Sequence, residues 1–222
     1  MQDCGMEQIL TQILGQLAVV GGQVGVVAVD GRSASGKTTL VRALAERTGA
    51  GVIHMDDFFL PQKLRTRERL ERSGGNIHFE RFQEEVLPRL RAGEDFSYGC
   101  FDCRRMAFGE RRRVKGGGLY FVEGAYSCHP ALGAYMDIRI FSDVAKEIQL
   151  ERIRKRGGEE ALQSFRERWI PMEEAYFRDY HIKEQADMVI DSSTSTCYHN
   201  TIKKQSFAKE GKENVGTFLS RS

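Results

Sequence analysis

Gly31, Gly36, Lys37 and Thr38 stand in the order Gly-x-x-x-x-Gly-Lys-Thr, the spacing of a phosphate-binding Walker A loop. Glycines at both ends let the backbone wrap close to phosphate oxygens. The N–H groups along Ser33, Ala34, Ser35, Gly36, Lys37, Thr38 and Thr39 can then turn inward as an anion nest. A helix starting there adds partial positive charge at its N-terminus. In such a loop Lys37 reaches the β- and γ-phosphates of a nucleotide, and the Thr38 hydroxyl holds Mg2+. A Gly/Ser-rich turn that merely joins a strand to a helix carries the same letters. Context favours the nucleotide loop: the β-branched run from Val24 to Val29 precedes it, and Thr39 to Arg47 follows at helical spacing.

Carboxylates stand at the ends of two further apolar runs. Val52-Ile53-His54-Met55 is followed by Asp56-Asp57, and Leu119-Tyr120-Phe121-Val122 by Glu123-Gly124. In an open parallel sheet the carboxyl ends of strands line the ligand crevice. Asp56 is therefore placed for acid–base or metal work, while Asp57 has the further reading of a solvated turn or a helix N-cap. Glu123, at the end of a later strand, is placed to complete a Mg2+ environment with Thr38, directly or through water.

Arginines cluster in two places. Between Phe96 and Val114 short extended pieces rich in aromatics carry Arg104, Arg105 and Arg111 to Arg113. This predicts a small β-hairpin outside the main sheet, its cations either a solvated face or a collar for an anionic substrate. Arg152, Arg154 and Arg156 run into Gly157-Gly158, with Arg166 and Arg168 beyond. Cations around a glycine break suit a lid that closes on phosphates; pairing with nearby glutamates near helix ends is the alternative. Cys100 and Cys103 have C-x-x-C spacing without a second pair, so they read as structural thiols rather than a zinc site.

These residues need a frame. Apolar periodicity predicts a leading packing helix over residues 6 to 20 ended by Gly21-Gly22, and a helix over 79 to 91 that Pro88 kinks. Helices follow over 144 to 156 and 159 to 169, with strands at 138 to 141 and 186 to 191; the basic stretch 62 to 75 reads as an exposed, mobile loop. Strands alternating with helices imply a three-layer α/β domain with a parallel sheet of roughly five strands. It spans residues 1 to 191, with a loosely ordered tail over 192 to 222. The 222 residues are 41% hydrophobic and 29% charged with a net charge of +2, so no global polycation points to nucleic acid or membrane as partner. No apolar run reaches membrane-spanning length. Five scattered cysteines and an N-terminus unlike a signal peptide suit a reducing cytoplasm.

Taken together these residues resemble the uridine kinase and phosphoribulokinase family of P-loop kinases, its uridine-kinase-like members above all, over residues 24 to 191. Met55-Asp56-Asp57-Phe58-Phe59 is similar to the family's Asp-x-Phe-Tyr segment, with Phe59 at the tyrosine. Phe101-Asp102 resembles the Tyr-Asp pair before its substrate hairpin, Val122-Glu123-Gly124 its Glu-Gly strand end, and Ala186-Asp187-Met188-Val189-Ile190 its closing strand. The resemblance implies ATP-dependent phosphorylation of a small-molecule hydroxyl, with a nucleoside such as uridine or cytidine first among acceptors. It makes Asp56 the base that receives or orients the hydroxyl proton, with Lys37 as its catalytic partner. Mg2+ would lie between Thr38, Glu123 and the phosphates. The substrate would meet Phe59, Phe101, Asp102, Arg104 and Arg105, and the lid would bring Arg154, Arg156 and Arg166 to ATP. Two departures stand out: Arg104, Arg105 and Met106 occupy the place of the family's pyrimidine-binding histidine, and Arg154-Lys155-Arg156-Gly157-Gly158 replaces its Arg-Asp and Arg-Gly-Arg lid. Such arginines suit an acceptor already bearing phosphate or carboxylate, a sugar phosphate or pantothenate-like molecule. A nucleotide-binding regulatory module is the alternative outside enzymes, although neither the Asn-Lys-x-Asp of a GTPase nor a Leu-Ser-Gly-Gly-Gln signature is present. A homo-oligomer is compatible with all of these readings.

Overall fold

The computed structural model describes residues 4–19, 25–103, 105–194 and 196–199. The Gly21-Gly22 stop, Arg104 and the tail beyond 199 lie outside the described residues. In chain order the elements are α1 (Cys4–Val19), β1 (Val26–Gly31), α2 (Lys37–Thr48), β2 (Gly51–His54), α3 (Arg67–Glu71), α4 (Phe79–Glu85), α5 (Leu87–Ala92), β3 (Phe96–Asp102) and β4 (Ala107–Val114). They continue with β5 (Tyr120–Glu123), β6 (Ile138–Asp143), α6 (Lys146–Ser164), α7 (Ile170–Asp179), β7 (Met188–Asp191) and β8 (Thr196–His199).

The main sheet has the order β2-β5-β1-β6-β7-β8, and its first five strands run parallel. β1 and β5 are buried along their whole length, as central strands covered on both faces must be. Helices cover the two faces. On one, Ile9, Leu10 and Ile13 of α1 and Leu40, Val41 and Leu44 of α2 pack on Val27, Val29 and Phe121. On the other, Phe58, Phe82, Tyr98, Phe141, Tyr176 and Phe177 form an aromatic core against Val26, Val122 and Val189. β3 and β4 pair only with each other, as the separate hairpin.

Several local expectations change. Residues 79 to 91 form two helices rather than one kinked helix, because the chain turns at Val86 and Pro88 opens α5, a position where its missing N–H costs nothing. The break expected at Gly157-Gly158 is present: Gly158 leaves helical geometry at φ 75° and ψ −171°, so α6 is two helical runs that meet at a kink. A π-helical turn over Phe165–Trp169 then joins α6 to α7. The basic stretch 62 to 75 is pinned: Arg69 donates to the Glu80 carboxylate at 2.7 and 3.0 Å and to the Ile77 carbonyl at 3.0 Å. Thr196–His199, placed in the loosely ordered tail by the sequence reading, forms β8 antiparallel to β7. A strand in place of loose chain follows from the free edge that β7 would otherwise present.

Candidate active site

β1 delivers the chain to the phosphate loop at Gly31, whose φ is 129° and whose added Cβ would meet the Ser142 carbonyl oxygen at 2.1 Å. β6 therefore closes against the loop only because position 31 lacks a side chain. Gly36, at φ 94°, turns the backbone left-handed into α2, which leaves the first N–H groups of that helix directed at the cleft. The Lys37 side chain is buried, and Nζ donates to the carbonyls of Gly31 and Arg32, each at 2.8 Å. Asp30 is fully buried beneath the loop. It accepts from the N–H groups of Gly31 at 2.7 Å, Tyr126 at 3.2 Å and Cys128 at 2.8 Å, and from the Tyr176 hydroxyl at 2.7 Å. Burial pushes its carboxyl above the usual carboxylate range, although the bonds from Tyr176, Cys128 and Gly31 pull the other way.

Glu123, at the end of β5, lies beside the first turn of α2: Thr38 Oγ1 donates to its two carboxylate oxygens, both at 3.2 Å. His54 Nδ1 lies 2.5 Å from Glu123 Oε1 and fixes the carboxylate from the β2 side. Asp56 follows in a 3-10 turn over Met55–Phe58. A cleft of about 300 Å3 brings Asp56 and Glu123 together with Lys37, Thr38 and the loop. Asp56 is reached by solvent from the cleft, yet it sits deep in a concave site crowded by protein atoms. That crowding raises its pKa first and the Glu123 charge second, against the pull of Lys37. An added Cβ on Gly124 would lie 3.6 Å from Asp56 Oδ1, so the two strand ends are in close register.

Asp57 turns away from the cleft. Its Oδ2 accepts from the Tyr98 hydroxyl at 2.9 Å and Arg112 Nε at 2.8 Å, while the Tyr98 hydroxyl accepts from the His54 N–H at 3.0 Å. Tyr98 and Arg112 belong to the hairpin, so Asp57 anchors the hairpin to the end of β2. Arg113 pairs with Asp95 at 2.8 Å and Arg111 donates to the Ser97 hydroxyl at 3.1 Å; the arginine run holds the hairpin rather than collaring a substrate. At the hairpin tip Asp102 accepts from the Arg105 N–H at 3.3 Å. Cys103 is half-buried there, its thiol raised by burial and pulled down by Arg65, with Asp56 and Asp102 near enough to act on it. The Phe59 and Trp169 rings lie 5.7 Å apart.

No protein-family model matches the chain, and no curated protein sequence matches it significantly. Solved structures do. A possible uridine kinase from Bacillus stearothermophilus is 21% identical with a TM-score of 0.61, over 83% of this chain and 96% of that one. A candidate fructose transport system kinase from a Silicibacter species is 24% identical with a TM-score of 0.57, over 72% of this chain and 88% of that one. The fold is that of the uridine-kinase-like P-loop kinases.

Within that fold, Gly31 to Thr39, Asp56 and Glu123 converge as the sequence predicts. Phe59 faces Trp169 and Asp102 lies at the hairpin tip, and neither lines the cleft. Phe101 is buried against Phe108, with ring centroids 5.5 Å apart, and supports the hairpin instead of facing a substrate. The Arg105 side chain is exposed. Arg156 lines the cleft with its guanidinium 5.8 Å from the Phe165 ring, whereas Arg154 is exposed and paired with Glu159 at 3.3 Å. Arg166 is exposed and stands outside the cleft wall. The spacing of α6 accounts for this: with 3.6 residues per turn, Arg152 and Arg156 share a face that Arg154 does not. Arg152 itself reaches the loop, donating to the Ala34 carbonyl at 3.1 Å. Glu173 of α7 also enters the cleft, accepting from the Ser33 N–H at 3.0 Å and from the Ser33 hydroxyl. No sequence signal links Glu173 to the loop; it arrives with the docking of α7, which also brings Tyr176 to Asp30.

Proposed function

We propose that the protein transfers the γ-phosphoryl group of ATP to a hydroxyl of a small molecule, with a nucleoside such as uridine or cytidine as first acceptor. The observation that carries this reading is the convergence of Asp56 with the phosphate loop and the Thr38–Glu123 pair in one cleft. Asp56 holds the acceptor hydroxyl and receives its proton as the new P–O bond forms and the bond to the departing ADP oxygen breaks. Lys37 and the loop N–H groups take up charge on the phosphates. Much of the effect is positioning of the attacking oxygen in line with phosphorus.

Thr38 and Glu123 offer hard oxygen donors, the set Mg2+ prefers. That fits Mg2+, which usually takes one or two carboxylates and completes its shell with water and phosphate oxygens. When bound it would neutralise charge developing on the phosphates. A second reading, an acceptor carrying phosphate or carboxylate, is favoured by Arg65, whose side chain reaches Cys103 at the hairpin tip. No described helix is long and apolar enough to cross a membrane. The reading places the protein in the cytoplasm, acting on a small molecule without nucleic acid or membrane.

ADP release with Mg2+-ATP, measured against nucleosides, pentose phosphates and pantothenate, tests the assignment. Stimulation by uridine or cytidine is expected, with Asp56→Asn losing at least about 100-fold in turnover while still binding ATP. Stimulation only by anionic acceptors moves the substrate to the second reading. ATP binding without any acceptor-dependent turnover would favour a regulatory nucleotide-binding module.

A further inference from the structure

A cavity of about 430 Å3 lies at the side of the main sheet where β2 is the end strand. Its volume falls within the range of small-molecule sites, which run from about 300 to 1,000 Å3. One wall is a stripe of α2 through Thr38, Arg42 and Ala45, residues that spacings of four and three bring onto one helix face. The facing wall is β2, whose Val52 and His54 stand two apart and so share a side of the sheet. Lys115, just after β4, stands at the other end of α2, its Nζ 3.9 Å from a Cβ added to Gly49.

The chemistry of this lining is divided. Ala45 and Val52, both half-buried, supply an apolar floor. Arg42 and Lys115 are exposed, and neither forms an ion pair among the described residues. Asp95, which feels the Lys115 charge, pairs instead with Arg113 at 2.8 Å. Glu46 is the only carboxylate among the described lining residues, so two permanent cations outweigh one anion. Converging cations of this kind draw in an anion, and the floor and the volume suit one that carries an apolar body.

The cavity backs directly onto the catalytic cleft. Thr38 lines both spaces, and its hydroxyl donates to both Glu123 carboxylate oxygens at 3.2 Å. His54, which lines the cavity, turns Nδ1 to the same carboxylate at 2.5 Å. We propose that the cavity is an effector site for a small organic anion with an apolar body, coupled to the nucleotide cleft through Thr38 and His54. The coupling rests on the kinase reading above; the binding does not. Thr38 and Glu123 would exchange their mutual bond for metal when the cleft is loaded, and that exchange alters the carboxylate on which His54 leans. A ligand held against His54 and Thr38 and a nucleotide held by Thr38 therefore change each other's affinity by the same factor.

Titration calorimetry with phenyl phosphate on the nucleotide-free chain tests the site. Wild type should bind it with a Kd of about 1 mM or tighter, and inorganic phosphate, which lacks the apolar body, more weakly. Arg42→Glu, at an exposed and unpaired position, should weaken phenyl phosphate at least about tenfold. Val52→Trp, which fills the floor, should do the same, while Lys37→Ala should leave it unchanged. Loss in Lys37→Ala with full binding in Arg42→Glu and Val52→Trp would put the anion in the phosphate loop and overturn the proposal. Absence of binding to wild type, or inorganic phosphate binding as tightly as phenyl phosphate, overturns it as well. Saturation with Mg2+ and a non-hydrolysable ATP analogue should shift the wild-type Kd for phenyl phosphate at least about threefold; an unchanged Kd overturns the effector role. A chain that binds phenyl phosphate in the cavity but no nucleotide would remove the kinase reading and leave the anion site standing.

Discussion

Asp56 is held in a site that opposes its own charge. Crowding by protein and the neighbouring Glu123 raise its carboxyl above the ordinary value of 3.8. A carboxyl that binds its proton more tightly in the folded state makes stability fall as pH rises through the raised value, and the penalty disappears below the unfolded value. Asp56→Asn should therefore raise Tm at pH 8, with a smaller gain at pH 4; differential scanning calorimetry at both pH values checks it, and an equal shift at both would contradict the linkage. The acid limb of the pH–rate profile should likewise lie above the ordinary carboxylate range. Glu173 places a third carboxylate at the phosphate loop, its pKa raised chiefly by burial. Glu173→Gln keeps an acceptor for Ser33 while removing that charge, so Mg2+-ATP should bind several-fold tighter by calorimetry. Lys37, Thr38, Asp56 and Glu123 were legible in the sequence because loop spacing and strand ends fix them locally. Glu173 was not, and Arg152 was legible only among the lid cations and not as a contact of the loop, because both contacts depend on how α6 and α7 dock on a loop more than a hundred residues earlier.

Strands and helices of the sheet are written in the sequence as periodicity, whereas the devices that set their angles are written in single residues. Gly158 sits at φ 75° and ψ −171° with no atom within 4 Å of an added Cβ, so the cost of Gly158→Ala comes from the backbone alone. That conformation is nearly exclusive to glycine and costs other residues about 1–3 kcal/mol. The variant should lose about 2–4 °C in Tm per kcal/mol, with ATP binding weakened as Arg156 leaves its place beside Phe165. The hairpin depends on Tyr98, whose hydroxyl ties the His54 N–H to Asp57. Tyr98→Phe leaves both half-buried partners short of a bond, at about 1 kcal/mol. It should raise KM for the acceptor while ATP affinity stays at the wild-type level. The hairpin was legible from alternating aromatics and arginines; its anchor was not, since Asp57 and Arg112 meet only after the chain folds. β8 escaped because a strand of four residues carries too little periodicity to stand out from a polar tail.

Across the whole molecule the order of strands in space departs from their order along the chain. β5 lies between β1 and β2, so Asp56 and Glu123, at neighbouring strand ends, are joined through all of α3, α4, α5 and the hairpin. A chain synthesised only as far as β4 holds β1 and β2 as strands with a gap between them and no means of pairing with each other. During that interval two ladder edges and the apolar faces of both strands are open to other chains, the condition under which nascent α/β proteins aggregate. Insertion of β5 closes both edges in one event, and the same event carries Glu123 to Thr38. The ability to bind Mg2+-nucleotide should therefore return in refolding at the rate of sheet closure and not before. A rapid early phase that regains helix signal should be inactive, and chains stalled within it should call on a chaperone.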